Sequence, residues 1–226
     1  MIPPNCNSER KIAVVFDLDK TITRSDTYIS FLVSILAHRP QRIFHSLWLP
    51  FAVAIHKLGI KNNSWLKTVF FRAIVAGSNR DQMEKWVNQF ITKVLAKEIY
   101  SNARITIEQH KQLGHKMILA SASFDLYVNE LGKQLGFDEI ICTLSSWNDS
   151  NQLKGEISGT NCYGESKLNR LKVHFGSERN QWHIIGYSDH HSDEPMLNWV
   201  DEPIAVNPTL KLSQISGYRG YDIRQW

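Results

Sequence analysis

The sequence predicts an α/β fold: a parallel sheet with helices on its faces, interrupted just after its first strand by an inserted helical unit. Three observations predict it. Short apolar runs occur at IAVVF (12–16), MILA (117–120), IIC (140–142) and WHIIGY (182–187), with a weaker fifth at PIAVN (203–207). They run continuously rather than alternating, as strands buried on both faces do. Helical patterns separate the later runs, which implies strand-helix-strand crossovers. Roughly a hundred residues separate the first run from the second, far more than one crossover needs.

The elements follow in order. After IAVVF, the stretches TYISFLVSILAHR, QRIFHSLWLPFAVAIHKLG, SWLKTVFFRAIVAG and RDQMEKWVNQFITKVLAKEI read as helices punctuated by Pro40, Gly59 and Gly77. This interval, residues 25–103, is the expected insertion; residues 1–24 and 104–226 are the expected sheet domain. FDLYVNELGKQLG (124–136) and GESKLNRLKVHFG (164–176) space apolar residues by three and four and end near glycine, a common helix stop. SSWNDSNQLKGEISG (145–159) reads as a hairpin with a polar turn. The ends, MIPPNCNSER and the tail containing Gly and Arg, are the weakest segments.

Composition narrows the function classes. A formal net charge of +4, with no window of clustered Lys and Arg among aromatics, argues against nucleic acid. Cys6, Cys142 and Cys162 are odd in number and lack CxxC spacing, so neither a disulfide framework nor a zinc site is expected. The N-terminus lacks a signal-peptide pattern. SLWLPFAVAI (46–55) is about half the ~20 residues needed to span a bilayer. A cytoplasmic protein is the expectation.

The candidate chemistry sits at strand ends. VVFDLDKTIT (14–23) closes an apolar run with Asp17 and Asp19, which would share a face if the strand continued, with Leu18 opposite. Carboxylates so close raise each other's pKa unless a cation intervenes. MILA ends in Ser121, WHIIGYS is followed by Asp189 and then Asp193, and Lys167 falls in the first turn of a helix. Ligands in such sheets bind beyond the carboxyl ends of the strands. Four carboxylates, one lysine and the hydroxyls of Thr21 and Ser121 suit phosphoryl transfer from a phosphate monoester. Such a site needs an oxygen-liganded cation such as Mg²⁺ and a fixed positive charge against the substrate's repulsion.

DLDKT, a strand ending in Ser121, Lys167 and SDHHSD, in that order, resemble the four motifs of the haloacid dehalogenase superfamily of phosphatases. The match covers residues 11–24 and 105–208. SASFDLYV, NCYGESK and DEPML resemble its phosphoserine-phosphatase-like branch (subfamily IB), near bacterial members that include phosphatidylglycerophosphatase C-type enzymes. The resemblance implies a Rossmann-like core with a helical cap that sets substrate specificity. It implies Asp17 as nucleophile and Mg²⁺ ligand, and Asp19 as general acid/base that ligates the metal through its backbone carbonyl. Asp189 is implied as a further Mg²⁺ ligand, with Asp193 in support. Thr21, Ser121 and Ala122 would hold the phosphate and Lys167 would stabilise its charge. Ser188 and Ser192 stand where the family often has Gly and Asn. His190 and His191 replace residues that are usually small and read as loop histidines at the pocket rim, steering the phosphate when protonated.

Substrate choice falls to the insertion. Asp26 lies where phosphoserine-specific relatives place an acidic group for the amine; it reads equally as a helix N-cap. Arg72 reads either as a cap residue reaching the phosphate or as part of a solvated helix face. RPQRIFHSLWLPFAVAIHKLGIK sets basic groups around an apolar stretch. A buried helix is the preferred reading, and peripheral contact with a membrane the alternative. The substrate expected is a small phosphomonoester such as phosphoserine, or a lipid phosphate such as phosphatidylglycerophosphate. The competing functions are a receiver-like module phosphorylated on Asp, disfavoured by the chain length and the insertion, and phosphotransfer to an acceptor other than water.

Overall fold

In a computed structural model, which describes residues 10–226, the first apolar run forms β1 (Lys11–Phe16). Ala13 through Phe16 are wholly buried. Val14 and Phe16 face one core while Ala13 and Val15 face another, which is why the run reads as continuous. The chain then enters the insertion: α1 (Thr27–His38), α2 (Arg42–Ser46), α3 (Leu49–Lys57), α4 (Asn63–Val75) and α5 (Arg80–Lys97). It returns through α6 (Ser101–Gln112) to β2 (Lys116–Phe124), α7 (Asp125–Leu135), β3 (Glu139–Trp147) and β4 (Leu153–Ser158). The remainder is α8 (Glu165–Phe175), a 3₁₀ turn, β5 (Trp182–Ser188), α9 (Glu194–Trp199), β6 (Glu202–Val206), α10 (Leu210–Arg219) and β7 (Asp222–Arg224).

The seven strands lie in the order β4-β3-β2-β1-β5-β6-β7, all parallel except the β3–β4 pair. The chain runs outward on one side of β1 through β2 and β3, then crosses to β5 on the other. That reversal opens a crevice beyond the carboxyl ends of β1 and β5, where open α/β sheets bind ligands.

Two connecting segments pair where the insertion leaves the sheet. Arg24 N–H donates to Glu98 O (2.7 Å) and Tyr100 N–H to Ile22 O (3.0 Å), around a bridge between Thr23 and Ile99. At its far side the loop between α4 and α5 pairs with the hairpin: Gly77 N–H donates to Leu153 O and Leu153 N–H to Ser78 O. Gly155 lets β4 approach α4. Its φ is +73°, and a Cβ there would lie 2.5 Å from Arg72 Cα. Gly155→Ala should therefore lower stability by about 2 kcal/mol, from the left-handed backbone penalty and the clash. Chemical denaturation measures this; an unchanged midpoint would contradict the packing.

Several expectations needed correction. The run at 41–59 is two helices, because Pro50 has no N–H to continue a helix and instead starts a new one. The expected burial of that stretch is wrong: only Leu49 and Ala52 are buried, while Phe44, Leu47, Phe51, Leu58 and Ile60 point outward. The run at 140–142 is the start of a nine-residue β3 that continues into the hairpin. The tail is ordered into the sheet, with β7 beside β6 and Trp226 packed near Phe16 and Tyr187. The weak N-terminal segment, through residue 9 and including Cys6, lies outside the described residues. Cys142 and Cys162 are buried free thiols.

Candidate active site

Strand β1 ends at Phe16 and the chain does not stay extended. Asp17 N–H still bonds Tyr187 O (3.0 Å), but Ile22 and Thr23 N–H then turn back onto Leu18 O, and Lys20 takes φ 62°. Leu18 is buried in the core. The turn parts the two carboxylates, so they do not share a strand face as expected.

Asp17 is buried and faces Lys167. Lys167 Nζ donates to Asp17 Oδ1 and to Asp193 Oδ2, each at 2.7 Å, and its side chain is only 2% exposed. A lysine in the first turn of a helix stands against the helix dipole. These two carboxylates supply what the position lacks. Ser188 Oγ donates to Asp193 Oδ2 (2.8 Å). Thr21 Oγ1 lies 3.3 Å from Asp17 Oδ2 and 3.5 Å from Asp189 Oδ1, bridging the two.

Asp19 turns the other way. Its Oδ1 accepts from Thr27 N–H (2.6 Å) and Thr27 Oγ1 (2.5 Å), and its Oδ2 accepts from Ser123 Oγ (2.7 Å). The carboxylate is thus tied to the first turn of α1, in the insertion. Asp26 caps the same helix by accepting from Ile29 N–H (3.1 Å), and it also lines the cavity.

These groups frame a cavity of about 610 Å³. Its polar floor holds Asp17, Asp19, Lys167, Asp189 and Asp193; Tyr28, Ile29, Leu66 and Phe70 of the insertion form an apolar side. Ser121 is buried beneath it, its hydroxyl accepting from Ser123 N–H (3.0 Å), and Ala122 reaches the wall.

Burial pushes the Asp17 carboxyl well above its ordinary pKa; Lys167 pulls it back, while Asp193, Asp189 and Asp19 push it up again. Burial, then Asp193, raises Asp189 to about 7. Burial, then Asp26, raises Asp19, against the donors on Thr27 and Ser123. Burial alone would lower Lys167, but Asp17 and Asp193 more than offset it and hold its pKa above the usual value. Burial, then His191, lowers His190, which argues against a protonated histidine steering phosphate. Its Nδ1 instead holds the loop through Ser192.

Arg72 needs correction as a phosphate group. It points outward, 58% exposed, and pairs with Glu156 Oε1 at 2.5 Å. Lys67, on the same helix, lines the cavity instead. Five residues turn a helix by about 140° beyond one full turn, so the two cannot face the same way. Lys67 Nζ donates to Ala122 O and to Asn161 Oδ1 (3.2 Å), beside the Tyr28 and Phe124 rings. Burial lowers its pKa to about 8. Sequence reasoning missed Lys67, Ser123, Thr27 and Asn161; helical phase shows that Lys67 and Arg72 cannot both face the cavity but not which of them does.

The donor set fits a hard cation. Among the described residues no three His, Cys, Asp or Glu side chains form a ready metal cluster. However, Asp17 and Asp189 bracket one hydroxyl, and Asp193 Oδ1 is buried with no partner. Burial first, and then repulsion among neighbouring carboxylates, raises Asp17 and Asp189, a cost that a cation relieves, and an all-oxygen set suits Mg²⁺.

The family model for haloacid dehalogenase-like hydrolases matches residues 14–198. The chain belongs to that family. Relatives within it include the inhibition of morphological differentiation protein of Streptomyces azureus, 27% identical over 94% of this chain and 78% of the relative. A probable phosphatase of Mycobacterium tuberculosis is 24% identical over 94% of this chain and 75% of its own length. In fold, this haloacid dehalogenase-like chain is similar to a phosphoserine phosphatase solved as an analogue of its phospho-aspartyl intermediate. The TM-score is 0.64 at 17% identity, covering 96% and 94% of the two chains. No helix among the described residues is long and apolar enough to cross a membrane.

Proposed function

We propose that this hydrolase cleaves a phosphate monoester in two steps, with Mg²⁺ as cofactor and the phosphoryl group carried on Asp17. The observation that carries the proposal is the buried Lys167 bridging Asp17 and Asp193, a fixed cation beside a carboxylate at the end of the central strand. In the first step an Asp17 oxygen attacks phosphorus and the bond to the leaving oxygen breaks. Asp19, with its raised pKa, gives that oxygen a proton. In the second, Asp19 takes a proton from water, the water oxygen attacks phosphorus, and the Asp17–phosphorus bond breaks. Lys167, Thr21, Ser121 and the backbone of Ala122 hold the phosphoryl oxygens. Asp17 and Asp189 side chains and the Asp19 carbonyl, with Asp193 in support, would hold Mg²⁺, which neutralises phosphoryl charge. Residues 25–103 act as the cap.

The test is turnover of an aryl phosphate with and without Mg²⁺. Chelation should bring the rate to background and Mg²⁺ should restore it. Metal-independent turnover would sink the cofactor assignment.

The apolar side of the cavity favours a substrate whose phosphate is carried on a partly apolar group, and Asp26 at the rim offers a charge for an amine. A phosphatase panel should therefore set phosphoserine beside lipid phosphates. Lys67 serves as the cap's cation toward the phosphate. The substrate KM should rise as pH climbs through about 8, where Lys67 loses its proton, and Lys67→Met should flatten that rise. A KM profile identical in the variant would exclude this role.

A further inference from the structure

Residues 27–80 carry seven Lys or Arg and no Asp or Glu. Within that acid-free stretch, α2 and α3 turn Phe44 (75% exposed), Leu47, Trp48 and Phe51 (71%) to the outside. Leu47 and Trp48 keep right-handed helical backbone between the two helices. The four side chains therefore recur at helical spacing and share one face. Leu58 and Ile60 extend the exposed apolar surface beyond α3, where Lys57 and Lys61 are also exposed. Arg39 and Arg42 are held by the uncharged carbonyl of Ala76, which leaves their charge intact. His56 of α3 and Asn63 of α4 line the cavity, so this surface adjoins the cavity mouth.

Apolar surface on this scale is unusual on a monomer and marks a docking face. Its charge selects the occupant. A second copy meeting the same patch would set basic groups against basic groups, with no acid from this stretch to relieve them. Aromatic and aliphatic side chains on a stretch whose Lys and Arg face no acid of its own match an amphipathic surface lying in an anionic lipid interface.

We propose that the α2–α3 face docks on an anionic phospholipid bilayer and holds the cavity mouth at the headgroups. The docking stands on the surface alone; the use of the cavity rests on the phosphatase reading above. The test is co-sedimentation of the full chain with vesicles of phosphatidylcholine alone, or of phosphatidylcholine containing a minority of phosphatidylglycerol. Binding should be strong only to the anionic vesicles. It should weaken at about 1 M salt, where the screening length falls to ~3 Å. Phe44→Ser with Phe51→Ser should cut the bound fraction roughly tenfold or more, and Lys57→Glu with Lys61→Glu should do likewise. Turnover of an aryl phosphate without vesicles should be unchanged in both variants, which establishes that they fold. Failure of the wild-type chain to sediment with anionic vesicles, or equal sedimentation of wild type and both variants, would overturn the proposal. So would a wild-type dimer that the apolar substitutions dissolve. Vesicle binding that persists in a chain with no phosphatase activity would leave the docking intact and remove the phosphatase reading instead.

Discussion

Asp17→Asn lowers turnover of an aryl phosphate by a factor on the order of 10⁴ or more, because the amide cannot attack phosphorus and no neighbour replaces it. Asp19 is tied to Thr27 and Ser123, and Asp193 is engaged by Lys167 and Ser188. The variant keeps its fold. Burial raises the Asp17 pKa, so its charged form costs stability as pH rises from the unfolded value of about 4 through the folded one. Asparagine has the same shape and removes that cost, while Lys167 retains Asp193. Thermal unfolding without added metal at pH 8 should give a midpoint no lower than wild type. A clear drop would mean that the Asp17–Lys167 pair stabilises more than burial costs. Appreciable surviving turnover would remove Asp17 as nucleophile.

Lys167→Met costs both activity and stability, and the second loss depends on pH. Removing the only cation that touches Asp17 and Asp193 among the described contacts leaves buried carboxylates uncompensated, a loss of about 3–5 kcal/mol while they remain ionised. Without the lysine the folded pKa of Asp17 rises further. A carboxyl with a raised folded pKa is no burden below its unfolded value, and its cost appears as pH rises through the folded one. The stability gap between wild type and variant should therefore be small near pH 4 and widen steadily to pH 8. Denaturant titrations across that range measure it; a gap independent of pH would show that lost packing, not charge, is responsible. Turnover should fall by roughly 10³, since the phosphoryl oxygens lose a preorganised cation.

What the sequence made legible follows from burial. The strand runs at 12–16, 117–120 and 182–187 were readable because both faces of β1, β2 and β5 are covered, and polar groups at such strand ends stand out against them. That was enough to single out Asp17, Ser121, Asp189 and Asp193; Lys167 stood out at a helix start, and the fold gathers all five at one end of the sheet. Side-chain direction was not legible. Asp19 turns toward Thr27 because the chain reverses on Leu18 O, and no local pattern announces that turn. Arg72 and Lys67 compete for one helix face, which only the packing of α4 against β4 decides. The outward face of α2 and α3 has the same apolar content as a buried helix, so periodicity could not say which side water would see. β7 was missed because three residues at a sheet edge carry too short a pattern to register.

The most direct measurement is chemical identification of the phosphorylated residue. Enzyme quenched during turnover and reduced with borohydride should yield a single peptide in which position 17 has become homoserine, the product of an acyl phosphate on Asp17. Modification at any other carboxylate, or none during active turnover, would contradict a covalent route through Asp17.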